Sequence, residues 1–255
     1  MRSLVSFLLV PLGVYAGLCA LLFLVQRSQI YFPVRESSPA GATSIRFSGS
    51  GVELKIWVVS RPGPQALLYF GGNAEDVAAN LGSFASAFPE HSLYLVNYRG
   101  YGGSAGSPSE SGLVVDAIAL YDHLRPRHPE ISVIGRSLGS SVAVQLASAR
   151  EVRRLVLVTP FDSLVNVARA HFPYLPVGLL LRDRYDSASR VSGVDASTLI
   201  VIAGSDEIIP RARSDALVAA FPAEQARVYV LEGAMHNDID LRPQYLEQLR
   251  LFLTR

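Results

Sequence analysis

Residues 131–149 are ISVIGRSLGSSVAVQLASA: a short apolar run, a Gly-x-Ser-x-Gly pentapeptide, and an apolar stripe at helical spacing. This order predicts a strand that turns sharply into a helix, with Ser137 at the turn. Such a turn exposes the serine at the carboxyl edge of a sheet, and the helix N-terminus directs backbone N–H groups toward an oxyanion beside it. Ser137 is therefore the candidate nucleophile.

A second Gly-x-Ser-x-Gly match, GGSAG at residues 102–106, shows that the pentapeptide alone is weak support. Ser104 follows NYRGYGG rather than an apolar run, and Pro108 blocks an immediate helix. The segment is typical of a flexible glycine-rich loop, so the expected role of Ser104 is in turn structure.

Outside the pentapeptide, near-continuous apolar runs alternate with helical patterns. The runs predict strands covered on both faces at residues 66–70, 92–96, 131–134, 155–158, 198–203 and 227–231. The helical patterns cover residues 74–88, 109–124, 138–149, 210–221 and 243–253. Period-2 patterns at 44–48 and 52–59 predict two antiparallel edge strands. The fold class is α/β, a mostly parallel central sheet with helices on both faces.

Residues 160–192, called the cap segment below, interrupt this alternation. The segment is too long for an ordinary connection, so we expect a short cap insertion over the site. Its many apolar side chains either bury against the domain or form a groove for an acyl chain.

Composition limits the class of protein. A length of 255 residues suits one globular domain, and the net charge of +1 without a long basic run argues against a nucleic-acid partner. The single Cys19 excludes an intramolecular disulfide and a cysteine-rich zinc site, and it leaves the globular part without a cysteine nucleophile.

Residues 4–25 are uncharged, between Arg2 and Arg27, and are long enough to cross a hydrocarbon core. We expect an uncleaved single-pass N-terminal anchor at residues 1–27, a juxtamembrane linker at 28–43, and the globular domain at 44–255. A cleaved signal peptide and a buried core helix are the alternatives. Positive flanks on both sides leave the orientation in the membrane open.

A serine hydroxyl needs a general base to become a good nucleophile. His236 follows the last predicted strand, in a loop that can lie over the carboxyl edge of the sheet. Asp206 follows TLIVIAGS at the end of the preceding strand, and Asp162, one strand earlier, is its competitor. The chain order Ser, Asp, His, together with the position of Asp206 at a strand end, favours Asp206 over Asp162 as the orienting acid.

An oxyanion hole needs two donors. The backbone N–H of Leu138 follows the nucleophile, and that of Asn73 lies in the loop GGNAED at residues 71–76, directly after a predicted strand. The same residues also suit a simple turn and helix cap.

Taken together, IYFP, GGNAED, NYRGYGGSAGSPSE, GRSLGSSVAVQLA, TPFDSL, AGSDEIIP and HND resemble the α/β-hydrolase superfamily, and within it the Bem46-like branch of single-pass membrane hydrolases. The resemblance covers about residues 28–253. It implies Ser137, Asp206 and His236 as a catalytic triad, with Asn73 and Leu138 as oxyanion donors. One departure is Gly71, where that branch usually has histidine.

The resemblance implies a membrane-anchored serine hydrolase that cleaves ester or thioester bonds of a small-molecule or lipid-like acyl substrate, without metal or organic cofactor. A peptidase or amidase of the same fold is one alternative. A non-catalytic membrane-tethered binding protein is the other. Oligomeric state and side of the membrane stay open.

Overall fold

The computed structural model describes residues 2–254, with side chains from residue 9 onward. Within these residues, eight strands form one sheet in the order β1-β2-β4-β3-β5-β6-β7-β8. Their bounds are β1 Thr43–Phe47, β2 Leu54–Val59, β3 Gln65–Phe70, β4 Ser92–Val96, β5 Glu130–Arg136, β6 Arg154–Val158, β7 Ser197–Ala203 and β8 Ala226–Leu231.

The sheet is parallel from β4 through β3, β5, β6 and β7 to β8, and antiparallel only where β2 pairs with β1 and β4. Only β1 is an edge strand on that side, so the prediction of two edge strands is wrong for β2. All but the last residue of β2 is buried, because β2 lies between two neighbours. A single strand's pattern does not encode the order of its neighbours.

The helices are α1 Arg2–Ile30, α2 Leu81–Ala87, α3 Glu110–Leu124, α4 Leu138–Ala149, α5 Leu164–His171, α6 Val177–Leu180, α7 Arg211–Ala220 and α8 Pro243–Leu253. They cover both faces of the sheet and form two apolar cores. Adjacent β3 residues show the division, since Leu68 packs in the core with α3 and α4 and Leu67 in the core with α2 and α8.

The helix predicted over residues 74–88 begins later than expected. Ala74 has a φ of 59°, which no right-handed helix contains. The side chain of Asp76 then caps a 3₁₀ turn, Val77–Asn80, by accepting from the N–H of Ala78, and α2 follows. The extra loop keeps the glycine-rich segment free to lie beside Ser137.

Among the described residues, helix α1 contains one segment, Leu9–Ile30, that is long and apolar enough to cross a membrane, and its most apolar 18 residues have a mean hydropathy of 2.1. Length and composition alone identify this segment as a candidate membrane span. Only 6% of its most apolar 18 residues are buried, which does not fit the alternative of a buried core helix. The signal-peptide alternative stays open. Residues 31–42 have no helix or strand, although Tyr31 is buried in the core.

Candidate active site

Ser137 lies at a strained turn between β5 and α4. Its φ of 49° and ψ of −115° are rare for a residue with a side chain, and its N–H donates to the carbonyl of Val158 at 2.8 Å. Both flanking glycines are needed for close packing. A Cβ on Gly135 would lie 2.3 Å from the carbonyl oxygen of Gly139, and one on Gly139 would lie 2.1 Å from that of Phe70.

The structure brings the three predicted residues Ser137, His236 and Asp206 into one hydrogen-bonded chain. The Nε2 atom of His236 lies 3.0 Å from Oγ of Ser137, and Nδ1 lies 2.8 Å from Oδ2 of Asp206. A carboxylate only accepts, so Nδ1 carries the imidazole proton and Nε2 accepts from the serine hydroxyl. The side chains of His236 and Asp206 are 6% and 5% exposed, which keeps competing water away.

Asp206 is held by its own loop as well as by His236. Its Oδ1 accepts from the backbone N–H groups of Ile208 at 2.9 Å and Ile209 at 2.7 Å. These bonds fix the plane of the carboxylate that faces the imidazole.

Asp162, the competing acid, has other partners. Its Oδ2 accepts from the side-chain amide of Asn166 at 2.7 Å and from the guanidinium of Arg213 at 3.2 Å. It therefore joins the start of α5 to α7.

Ser104 has the structural contacts expected of a turn residue. Its Oγ accepts from the backbone N–H of Lys55 at 2.8 Å and donates to the carbonyl of Asn97 at 2.9 Å. Its hydroxyl thereby ties the glycine-rich loop to β2.

The loop at residues 71–76, called the GGN loop below, runs alongside Ser137. A Cβ built on Gly72 would lie 3.7 Å from the Cβ of Ser137. Within residues 2–254, neither the backbone N–H of Asn73 nor that of Leu138 has a hydrogen-bond acceptor. Both predicted oxyanion donors are thus available to a substrate.

Glu75 stabilises this loop and was missed in the sequence reasoning. Its Oε2 accepts from the N–H of Gly72 at 2.6 Å, while Oε1 accepts from the hydroxyl of Tyr69 at 2.5 Å and the amide of Asn80 at 2.7 Å. Burial, with a smaller contribution from Glu75, raises the pKa of Tyr69 well above its ordinary value, so the phenol stays a donor. The available signal was a carboxylate inside the GGNAED motif.

Arg136, next to the serine, was also missed. It pairs with Glu75 at 3.5 Å and Asp240 at 3.4 Å, and it donates to the carbonyl of His236 at 3.2 Å. The N–H of His236 donates in turn to Glu207 at 3.0 Å. Arg136 therefore connects the GGN loop to the loop that carries His236.

An apolar cavity of about 860 Å³ opens at Ser137 and His236. Its walls come from α1 and the cap segment, among them Leu22, Ile30, Leu164, Phe172, Leu175 and Leu180. Among the described residues, no cluster of three or more His, Cys, Asp or Glu side chains has the arrangement of a metal site.

No protein-family model matches the chain. An uncharacterized protein of Mycobacterium tuberculosis strain H37Rv is 39% identical over 260 residues, covering 94% of this chain and 92% of that protein. The alpha/beta hydrolase domain-containing protein 17C of Xenopus laevis is 34% identical over 207 residues, covering 78% of this chain and 65% of that protein. The chain belongs to the α/β-hydrolase superfamily.

Solved structures agree with the α/β-hydrolase fold. An esterase of Pyrococcus furiosus superposes with a TM-score of 0.71 at 16% identity, covering 88% of this chain and 96% of that chain. An enol-lactonase of Burkholderia xenovorans gives a TM-score of 0.66 at 15% identity, covering 83% and 100%. The Bem46-like branch stays a prediction.

Proposed function

We propose that this α/β hydrolase is a serine hydrolase that cleaves ester or thioester bonds of acyl substrates through an acyl-enzyme. One observation carries the proposal. The chain Asp206–His236–Ser137, with separations of 2.8 and 3.0 Å, meets an apolar cavity. This arrangement matches a nucleophile, a base within reach, and a third group that orients the base.

In the first half-reaction, Nε2 of His236 takes the proton of the Ser137 hydroxyl as Oγ attacks the substrate carbonyl carbon. The backbone N–H groups of Asn73 and Leu138 bind the oxyanion that forms, and removal of one such donor typically costs about 3 kcal/mol of barrier. Asp206 stabilises the imidazolium. The tetrahedral intermediate collapses, and the departing alcohol or thiol takes the proton from His236.

In the second half-reaction, His236 takes a proton from water, and the resulting hydroxide attacks the acyl carbon on Ser137. Collapse releases the carboxylic acid and returns the proton to Oγ of Ser137. Atoms balance with water as the only co-reactant.

The cavity supports an acyl substrate rather than a small polar one. Its walls are mainly aliphatic and aromatic, and two superposing structures are named an esterase and an enol-lactonase. Each buried methylene contributes about 0.8 kcal/mol, so three or four well-seated ones favour a longer chain by roughly a hundredfold.

We also propose that residues 1–27 are an uncleaved membrane anchor and that residues 28–43 are the juxtamembrane linker. Residues 44–255 form the hydrolase domain, with residues 160–192 as its cap. The absence of charge over residues 9–26 and the exposure of that stretch support an anchor.

The test uses purified full-length protein in detergent with p-nitrophenyl esters of increasing chain length, an acyl thioester and an aminoacyl anilide. We expect kcat/KM to rise from acetate to a medium chain and then level, and Ser137→Ala to abolish turnover. Preference for the anilide would establish the peptidase alternative. Absence of turnover on every substrate would favour the non-catalytic binding protein.

A further inference from the structure

The tip of the cap touches α1 far from the end of the helix. The hydroxyl of Tyr15 donates to the carbonyl oxygen of Tyr174 at 2.7 Å. Tyr15 lies inside the apolar segment Leu9–Ile30, about 18 Å along the axis from Arg27 at roughly 1.5 Å per residue. Tyr174 lies between α5 and α6, so this part of the cap runs beside the segment long enough to cross a membrane.

The cap surface at that height is apolar. Among residues 172–181, called the cap tip below, Phe172 is 57% exposed, Tyr174 is 89% and Leu179 is 86%. Clustered large apolar side chains at such exposure usually mark an interaction surface. The neighbouring face of α1 is also apolar and exposed, with Leu18 at 45% and Leu21 at 55%.

Basic side chains follow at the level where α1 ends. Arg27 pairs with Asp183 at 3.1 Å, and the guanidinium of Arg182 lies 4.1 Å from the centre of the Phe23 ring. Arg184 is exposed, and its guanidinium donates to the carbonyl of Gly178 at 2.8 Å. An apolar tip bordered by arginines matches the change from hydrocarbon to lipid headgroups.

Gln26 makes α1 and the cap one unit. It is buried on a largely exposed helix, its amide donates to the carbonyl of Leu180 at 3.0 Å, and its Oε1 accepts from the N–H of Arg182 at 2.7 Å. The depth of α1 in a bilayer therefore sets the depth of the cap tip.

We propose that the cap tip lies inside the hydrocarbon of the bilayer that α1 crosses. The cavity that α1 and the cap line together then receives acyl chains from the leaflet instead of from water. This inference rests on the proposed anchor and acyl-hydrolase activity. The occupant of the exposed apolar surface is lipid hydrocarbon, because that surface is continuous with the apolar face of α1.

The test measures depth without turnover. In full-length protein carrying Cys19→Ala, a nitroxide label is placed by Leu179→Cys on the cap tip, by Leu12→Cys on α1, or by Ser197→Cys. Ser197 is exposed at the amino end of β7, at the opposite edge of the sheet from the site. Each protein is reconstituted in phosphatidylcholine and phosphatidylglycerol vesicles, and collisions with oxygen and a water-soluble nickel chelate are compared.

We expect the labels at positions 179 and 12 to collide preferentially with oxygen, and the label at 197 with the chelate. A label at 179 as open to the chelate as that at 197, while 12 stays protected, would overturn the proposal. Chelate access at 12 as well would overturn the anchor with it. Neither result depends on esterase activity, so failure of the serine-hydrolase proposal shows separately in the Ser137→Ala comparison.

A kinetic arm uses Leu179→Asp, at a position outside the cavity lining, with Ser197→Asp as the matched control. A charge in hydrocarbon is costly, so hydrolysis of a medium-chain ester held in the vesicles should fall about tenfold. Hydrolysis of dissolved p-nitrophenyl acetate should stay unchanged, as should both activities of the control. Unchanged hydrolysis of the vesicle-borne ester by Leu179→Asp would contradict the proposal.

Discussion

The side-chain amide of Asn73 donates a 2.6 Å hydrogen bond to the carbonyl oxygen of Ile30 and ties the loop beside Ser137 to the end of α1. Its Oδ1 accepts from the N–H of Phe32 at 3.0 Å and from the hydroxyl of Tyr101 at 2.7 Å. One carboxamide thus orients the peptide that we propose as an oxyanion donor. The position of α1 and the geometry of the GGN loop are therefore coupled.

Asn73→Ala should lower kcat about tenfold and change KM by less than about twofold, because it removes three orienting bonds and keeps the backbone donor. Steady-state kinetics on p-nitrophenyl esters measures this. Ser28→Ala is the control, since among the described residues that hydroxyl bonds only to the carbonyl of Val25, within α1. Wild-type kcat in Asn73→Ala would contradict the coupling.

Asp206→Asn should reduce kcat by orders of magnitude, on the precedent of about 10⁴-fold for the equivalent change in a serine protease, because the wrong imidazole tautomer results. Asp162→Asn should cost far less, since Asp162 bonds to Asn166 and Arg213. The reverse ranking in purified, folded variants would move the acid to Asp162.

His91 should make the fold sensitive to acid. It is buried against Phe88, and neither ring nitrogen has a hydrogen-bond partner within the described chain. Burial lowers its pKa in the folded state, so the unfolded chain binds the proton first as pH falls below about 6.5. The free energy of unfolding therefore decreases as the pH falls below that value.

The measurement is Tm between pH 7.5 and pH 5 for wild type, His91→Leu and the exposed control His123→Gln. The fall in Tm should be smaller in His91→Leu than in the other two proteins. Equal falls in all three would show that His91 does not carry the effect.

Full-length protein should remain with membranes after carbonate washing. A double variant, Leu12→Lys with Leu18→Lys, should appear in the soluble fraction, because each central charge costs about 2.5–3.5 kcal/mol in a spanning helix. Leu241→Lys, exposed and outside α1, should behave like wild type. A mature N-terminus at about residue 20 or later would instead identify a signal peptide.

Local patterns in the sequence were enough to predict the parallel sheet and the turn between a strand and a helix that carries Ser137, the nucleophile that we propose. Strands buried on both faces appear as continuous apolar runs, and the glycines at 135 and 139 mark a turn that no bulkier residue allows. The fold requires acid and base to follow the nucleophile, which both Asp162 and Asp206 do, so the position of Asp206 at a strand end is what favours it over Asp162.

The features that were missed depend on contacts between distant parts of the chain. Residue pattern does not specify that β2 lies inside the sheet, or that Glu75 and Arg136 lock the loops around the serine. The helix over residues 74–88 was predicted too long, because the positive φ of Ala74 follows from packing and not from its side chain. The contact of Asn73 with the end of α1 also joins distant parts of the chain, so residue pattern did not predict it.

The central claim is that Ser137 is the nucleophile. Labelling of the full-length protein with a fluorophosphonate, followed by mass spectrometry of the modified peptide, tests it most directly. We predict a single adduct on Ser137, absent from Ser137→Ala and retained in Ser104→Ala, because only Ser137 lies 3.0 Å from Nε2 of His236. Full labelling of Ser137→Ala would contradict the account.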